Sequence, residues 1–355
     1  MCNAWWVLLP AVDGAGANLG MSRRRLAVAS SLTFASYGAS SPAWGLASDS
    51  VGRRPTLVSA LAAGSVACVL QALARDARDY AAARAGVGVA LGGVVGISVP
   101  YLLELVPAPY RGLSNKISHS SYVLATALLA LASTVYTWRE LSAAAAAAGA
   151  VAAFLTRLAI PESPLLEARP PAAAKVPRGT FRTKQTVALV ACWCTASILY
   201  FASSYADAII LAIAEIPAYA GTSLVVARLG RRGAQVAYFS AAASAYAALL
   251  TPRRPSHRFA ASLVARFATS GAFAVLWQIT VETYPAARAA ALGLCGTLSK
   301  TAAAAAPLLA LLDPRTYAAL ALAAALLAAL LTLAYLDEGP PPPARRRTTP
   351  YIIIT

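Results

Sequence analysis

Apolar residues in this chain come in runs of about 20, divided by short segments that collect glycine, proline and arginine. Twenty apolar residues are what an α-helix needs to cross the hydrocarbon core of a bilayer. The runs predict spans at 26–48, 56–74, 80–103, 117–137, 140–160, 185–205, 208–227, 234–251, 259–281, 289–312 and 316–336. The expectation is an all-α membrane protein with eleven visible spans. The polyalanine stretch Ala143 to Ala148 is weakly hydrophobic, which suits a helix packed closely on its neighbours.

Residues 1–25 do not read as a span, because they hold Asp13, Gly14, Gly16 and the run Arg23-Arg24-Arg25. Residues 161–184 form a basic linker with Lys175, Arg178, Arg182 and Lys184. Residues 337–355 form a tail whose GPPPPARRR stretch cannot be helical through its prolines.

The loop from Gly45 to Pro55, GLASDSVGRRP, organises the pattern. It places one acid, a turn glycine and two arginines between two apolar runs, as in a tight hairpin on the arginine-rich side of a membrane. Its second part returns 178 residues later as Arg228-Leu229-Gly230-Arg231-Arg232, and the same offset carries Glu104 onto Glu282 and Pro107 onto Pro285. The chain therefore divides into repeated bundles, 26–160 and 185–336, related as parallel repeats. Moving the span 185–205 back by the offset lands on the charged segment 7–27, so the first bundle is expected to lack its first helix, eleven of twelve. A shortened product and a genuine loss of that helix both fit.

Composition agrees with a membrane chain. The 355 residues are 59% hydrophobic and 12% charged, with a mean hydropathy of +0.61, and a soluble domain carries roughly twice that charge. The net charge of +16 does not point to nucleic acid, for which no motif is present. With the Gly45–Pro55 loop inside, sixteen Lys/Arg fall on the inner side and ten on the outer side, a bias in the expected direction that Arg253, Arg254 and Arg258 oppose. That orientation puts 1–25 outside and the tail in the cytoplasm. Of the five cysteines, four lie in apolar runs, which is neither a disulfide framework nor zinc spacing. His119 and His257 are isolated, and no phosphate loop, nucleophile motif or catalytic carboxylate pair is visible. The expectation is no enzyme, no metal and no cofactor, with transport either facilitated or coupled to a counter-ion or exchanged anion.

GLASDSVGRRP, the segment Glu104 to Gly112 (ELVPAPYRG) and IPESP at Ile160 to Pro164 resemble the sugar-porter and organic-ion branches of the major facilitator superfamily. Thr137-Trp138-Arg139, AEIPAY from Ala214 to Tyr219, and Glu282 to Lys300 (ETYPAARAAALGLCGTLSK) are similar to the organic cation/anion transporters. The resemblance implies two helical bundles that rock about a central site, in the plasma membrane. The second arginine loop departs from it, with Ala227 where Asp49 would recur.

Lys300 lies about twelve residues into an apolar run, and a cation at that depth costs roughly 2.5–3.5 kcal/mol. It should face a water-filled cavity or a partner, and with no mid-span acid expected elsewhere, contact with substrate is favoured over pairing with an acid of the bundle. The resemblance places a basic residue here in anion carriers and an acid in cation carriers. It also matches Tyr200 and Phe201 to an aromatic pair of the family. Trp277, Gln278 and Tyr122 complete the expected substrate contacts, with Trp193 a weaker candidate, since flat rings with a polar edge suit amphiphilic organic ions. The expected cargo is a small organic anion. The alternatives are an organic cation, zwitterion or sugar-like solute, or a chain that does not transport.

Asp49, Arg53, Arg54, Glu104 and Arg111, with Arg228, Arg231, Arg232, Glu282 and Arg288 in the second half, are expected to form inner-face pairs that break and re-form during alternating access. Asp49 is positioned to cap a neighbouring helix. Arg84, Gly88, Gly92, Gly96 and Pro100 recur every four residues on one helix face, and the glycines predict close helix packing. Arg84 reads as the counterpart of Arg266 at an offset of 182, which requires an insertion between them.

Overall fold

The computed structural model describes residues 5–6, 14–107, 110–164, 183–203, 208–251, 254–284 and 288–336. Every element among them is helical: α1 (Ala15–Asn18), α2 (Arg23–Val51), α3 (Arg53–Ala72), α4 (Ala77–Leu105), α5 (Arg111–Ala132), α6 (Trp138–Ala159), α7 (Thr183–Ser203), α8 (Ala208–Leu250), α9 (Pro255–Thr283), α10 (Arg288–Ala303), α11 (Ala306–Leu309) and α12 (Pro314–Tyr335). Gly230 breaks α8 into two rods with φ 70° and ψ 175°. Each of the eleven predicted spans thus falls on a long helical rod. Among the described residues, seven helices are long and apolar enough to cross a membrane by length and composition. On α6 the exposed Val151, Phe154, Leu155 and Leu158 share one face, the arrangement of a helix that turns leucine and phenylalanine toward lipid. Its opposite face is small: Ser142, Ala145, Ala146, Gly149 and Ala153 are buried, which lets α3 approach.

The 178-residue offset holds helix by helix. It carries α3 onto 231–250, α4 onto α9, and α5 onto α10 with α11. Gly52 maps onto Gly230, and both have positive φ, 122° and 70°, a backbone state that glycine adopts without a Cβ penalty. Because α4 and α9 are both 29 residues long, there is no insertion between Arg84 and Arg266. That expectation is corrected: Arg266 is the counterpart of Gly88, one turn further along.

Contacts between the halves run through α2 against α10 and α11, and through α5 against α8. These two seams are images of each other under the same offset. At the first, Phe34 of α2 lies 4.6 Å from the ring of Phe201 on α7. Inside the first half, α2 packs on α4 where Gly88 and Gly92 leave no room for a Cβ against Thr33, Ser36, Tyr37 and Ser40. Ser36 and Ser40 donate to the Ala85 and Val89 carbonyls at 2.9 and 3.0 Å. Gly96 does not belong to this contact, since nothing lies within 4 Å of a Cβ built on it.

Trp5 and Trp6 pack into the bundle. Trp6 is wholly buried, donates its indole N–H to the Ala145 carbonyl at 3.2 Å, and fills the space left by Gly64 and Gly149. Arg84, 1% exposed, donates to the Trp6 carbonyl at 2.7 Å and to Gln71 at 3.4 Å. Arg84 is thereby a clamp on this segment. Of the arginine run expected to lie outside any span, Arg23 to Arg25 form the first turn of α2.

Candidate functional site

Lys300 sits in the middle of the apolar span Ala291–Leu309. Its Nζ stands 4.7 Å over the ring of Phe201 and 5.0 Å over that of Phe273. Among the described residues no carboxylate lies within ion-pairing distance of it. Aromatic faces offer a desolvated ammonium a partial negative charge, worth about 0.5–2 kcal/mol each. Those contacts do not neutralise its charge.

The neighbouring rings form a continuous array. Tyr200 meets Phe201 edge-on at 5.1 Å and Phe273 at 5.7 Å. Trp193 meets Phe273 at 5.4 Å and Trp277 at 5.2 Å. Tyr122 packs half-buried against the apolar cluster that contains Tyr200 and Phe201. The offset makes Tyr122 the repeat counterpart of Lys300, so one position carries a phenol in one half and an ammonium in the other.

A second buried charge site adjoins the array. Glu215 on α8 is 0% exposed, and Arg266 on α9 is 2% exposed. Arg266 Nε donates to Glu215 Oε1 at 2.9 Å, and Nη2 donates to the same oxygen. Its Nη1 donates to the Tyr200 carbonyl and to Ser203 Oγ in the last turn of α7. The Tyr200 hydroxyl donates to Glu215 Oε2 at 2.8 Å, and the guanidinium lies 3.7 Å over the Tyr200 ring. The expectation that no acid is buried in mid-span is therefore wrong. Glu215 escapes a reading by runs because its span is apolar on average and its partner lies 51 residues away. The repeat holds the signal, since the offset maps Glu215 onto Tyr37 and Arg266 onto Gly88, residues on the facing helices α2 and α4.

Of the six expected substrate contacts, the structure brings Lys300, Tyr200, Phe201 and Tyr122 into one cluster. Trp277 is half-buried in a second cluster, joined to the first through Trp193 and Phe273. Trp193 is 2% exposed and donates to Thr280 Oγ1 at 2.9 Å, a core role. Gln278 is exposed and hydrogen-bonds to nothing among the described residues. Phe273, which the sequence pattern does not single out, is the ring shared by both clusters.

On the inner face Arg53 joins Asp49 at 2.7 Å and Glu104 at 3.3 Å, and donates to Ser48 Oγ at 2.8 Å. The carboxylate that accepts from the first N–H groups of α3 is not Asp49 but Glu162, at 2.9 Å from Arg53 N and 3.2 Å from Arg54 N. Ser163 Oγ donates to Glu104 at 2.6 Å, and the Tyr101 hydroxyl donates to the Pro161 carbonyl. The end of the first half is thus folded back onto the α2–α3 turn. In the second half Arg231 pairs with Glu282, the counterpart of the Arg53–Glu104 pair, and Arg232 donates to the Leu333 carbonyl. Arg228 is exposed and has no ion pair among the described residues. The side chains of Arg111 and Arg288, the residues 165–182 of the linker and the tail 337–355 lie outside the described residues.

The fold recurs in solved transporters. The human organic anion transporter MFSD10 (TETRAN) matches with a TM-score of 0.72 at 16% identity, over 93% of this chain and 96% of that one. The inward-open xylose transporter XylE from E. coli matches with a TM-score of 0.79 at 16% identity, over 95% and 94%. No curated protein matches the chain. The family model for the Major Facilitator Superfamily matches residues 1–227. Its helices, paired arginine-glycine turns and doubled seam are those of a multi-pass membrane transporter of small solutes, not of an enzyme, and the chain belongs to the Major Facilitator Superfamily.

Proposed function

We propose that this transporter carries small amphiphilic organic anions by alternating access, as a facilitator or exchanger at the plasma membrane. The observation that carries the reading is the contrast between two buried cations. Arg266 is neutralised by Glu215, whereas among the described residues Lys300 meets rings and no carboxylate. A cation at that depth without a counter-charge is costly, and an anionic substrate supplies the missing charge. Phe201, Phe273 and Tyr200 offer its apolar body a flat surface, with Tyr122 beside them. The name of MFSD10 as an organic anion transporter is in keeping with this reading.

The test is uptake of labelled benzoate and a labelled quaternary ammonium into vesicles holding the purified chain. Benzoate uptake that falls at least tenfold in Lys300→Ala and survives in Lys300→Arg supports the proposal. Uptake of the ammonium alone would make the chain a cation carrier. Uptake of neither would mean that the chain alone does not transport.

A further inference from the structure

We propose that Glu215 is a resident counter-anion that sets the charge of the substrate at one, so that the Lys300 site takes organic monoanions in preference to dianions. This deepens the anion reading above and rests on it. Three charged groups adjoin one set of rings. Lys300 lies over Phe201 and Phe273; Arg266 lies over Tyr200; Tyr200 touches both phenylalanines. Glu215 cancels Arg266 by holding two of its nitrogens on one oxygen. Among the described residues one positive charge is left over, and it is on Lys300.

The arrangement also fixes what Arg266 and Tyr200 can do. The guanidinium is held by Glu215, the Tyr200 carbonyl and Ser203. The Tyr200 hydroxyl is directed to Glu215. Both are thereby held as positioning groups that fix the wall of the site. A monoanion meets Lys300 and leaves the cluster neutral. A second carboxylate would find no free cation to meet it, since Glu215 already holds the charge of Arg266, in a medium that screens weakly.

The repeat sharpens the point. At the equivalent position in the first half, Gly88 packs directly on α2 beside Tyr37, with no charge at either place. The carboxylate–guanidinium pair is therefore not required for this helix packing. It is an addition to the half that carries Lys300.

The experiment compares benzoate with phthalate, the same ring bearing one or two carboxylates. Wild-type protein in vesicles is expected to take up benzoate with the lower KM. Glu215→Gln keeps the shape and one acceptor, its oxygen taking the Arg266 bonds while its NH2 donates to the Tyr200 hydroxyl, but releases the charge of Arg266. It should shift the phthalate-to-benzoate ratio of kcat/KM upward by roughly tenfold. In the double variant Lys300→Ala/Glu215→Gln the free charge moves to Arg266, and benzoate uptake lost in Lys300→Ala should return. An unchanged ratio in a folded Glu215→Gln protein, or no rescue in the double variant, overturns the inference while leaving anion transport standing. Should Glu215→Gln not fold, the wild-type ratio decides, and a preference for phthalate overturns it. Uptake of neither anion by wild-type protein removes the anion reading and this inference together.

Discussion

Gly38 of α2 and Thr301 of α10 meet backbone to backbone across the seam between the halves. A Cβ on Gly38 would stand 2.9 Å from Thr301 N and 3.0 Å from the Thr297 carbonyl oxygen. Thr301 follows Lys300, and Phe34 lies one turn before Gly38, against Phe201. This close approach of the two halves therefore lies beside the candidate substrate cation. Overpacking such a contact costs about 1–3 kcal/mol, and the cost falls only on conformations in which the seam is closed. Gly38→Val is expected to slow vesicle uptake roughly tenfold or more while the thermal unfolding temperature in detergent changes little. Wild-type uptake rates in Gly38→Val would show that the seam need not close this far.

The inner-face pairs Arg53–Glu104 and Arg231–Glu282 are one interaction built twice, but their surroundings differ. The first is shared with Asp49, Ser48 and Ser163, and Glu162 caps the adjoining helix. Half-buried pairs fall between the roughly 0.2–1 kcal/mol of exposed pairs and the roughly 3–5 kcal/mol lost when a buried pair is broken. Glu104→Gln and Glu282→Gln are each expected to lower the unfolding temperature in detergent. The swap Arg231→Glu/Glu282→Arg should recover most of the loss in its own half. No loss at either site would mean that these pairs contribute nothing to stability.

Much of this was legible in the sequence for identifiable reasons. Span lengths are set by the bilayer, so all eleven long rods could be read from apolar run length. The repeat could be read because a turn that reverses the chain needs glycine at Gly52 and Gly230, with arginine beside each. Lys300 stood out because an ammonium inside an apolar run is too costly to be kept there without a task. What sequence missed depends on which face of a helix points where. Gln278 and Trp277 are adjacent, yet one is exposed and the other half-buried. Gly96 continues the spacing of Gly88 and Gly92, but nothing lies within 4 Å of its Cβ position. Glu215 needed its partner on another helix to become visible. Trp6 was hidden because an isolated short apolar stretch has no periodicity to place it.

Two carboxylates at helix starts give the chain an acid limb. Asp76 accepts from Arg78 N and Asp79 N at 2.8 Å, and these bonds hold its pKa below the usual aspartate value. Asp313 is held low chiefly by the Thr316 hydroxyl and backbone N–H, with Arg315 N also donating to it. A folded-state pKa below the unfolded value means that the stabilisation is complete above the unfolded value, about 3.9. It is lost as pH falls through the folded value. The unfolding temperature in detergent should therefore lose these contributions only below about pH 4. In Asp76→Asn/Asp313→Asn the decline over that range should be shallower. An identical acid limb in the double variant would remove these two caps as contributors.

Trp6 gives the most direct stability test, because its site is built from the absence of other side chains. Gly64 and Gly149 lie so close to the indole that a Cβ on either would overlap the ring, and the ring N–H is satisfied by the Ala145 carbonyl. Truncating a buried tryptophan leaves a cavity worth about 3–5 kcal/mol, so Trp6→Ala should lower the unfolding temperature more than Trp5→Ala, whose ring is only half-buried. Gly64→Ala alone should also destabilise, by overpacking. In combination with Trp6→Leu, however, the added methyl enters space that the smaller side chain has vacated. Residues that share a cavity are non-additive by roughly 0.5–3 kcal/mol, so the double variant should be more stable than the sum of the single losses predicts. Strict additivity would mean that the ring of Trp6 does not occupy the groove between α3 and α6. Trp5 and Trp6 would then have to be held by the Trp5 indole N–H on the Ala125 carbonyl and the Arg84 clamp on the Trp6 carbonyl.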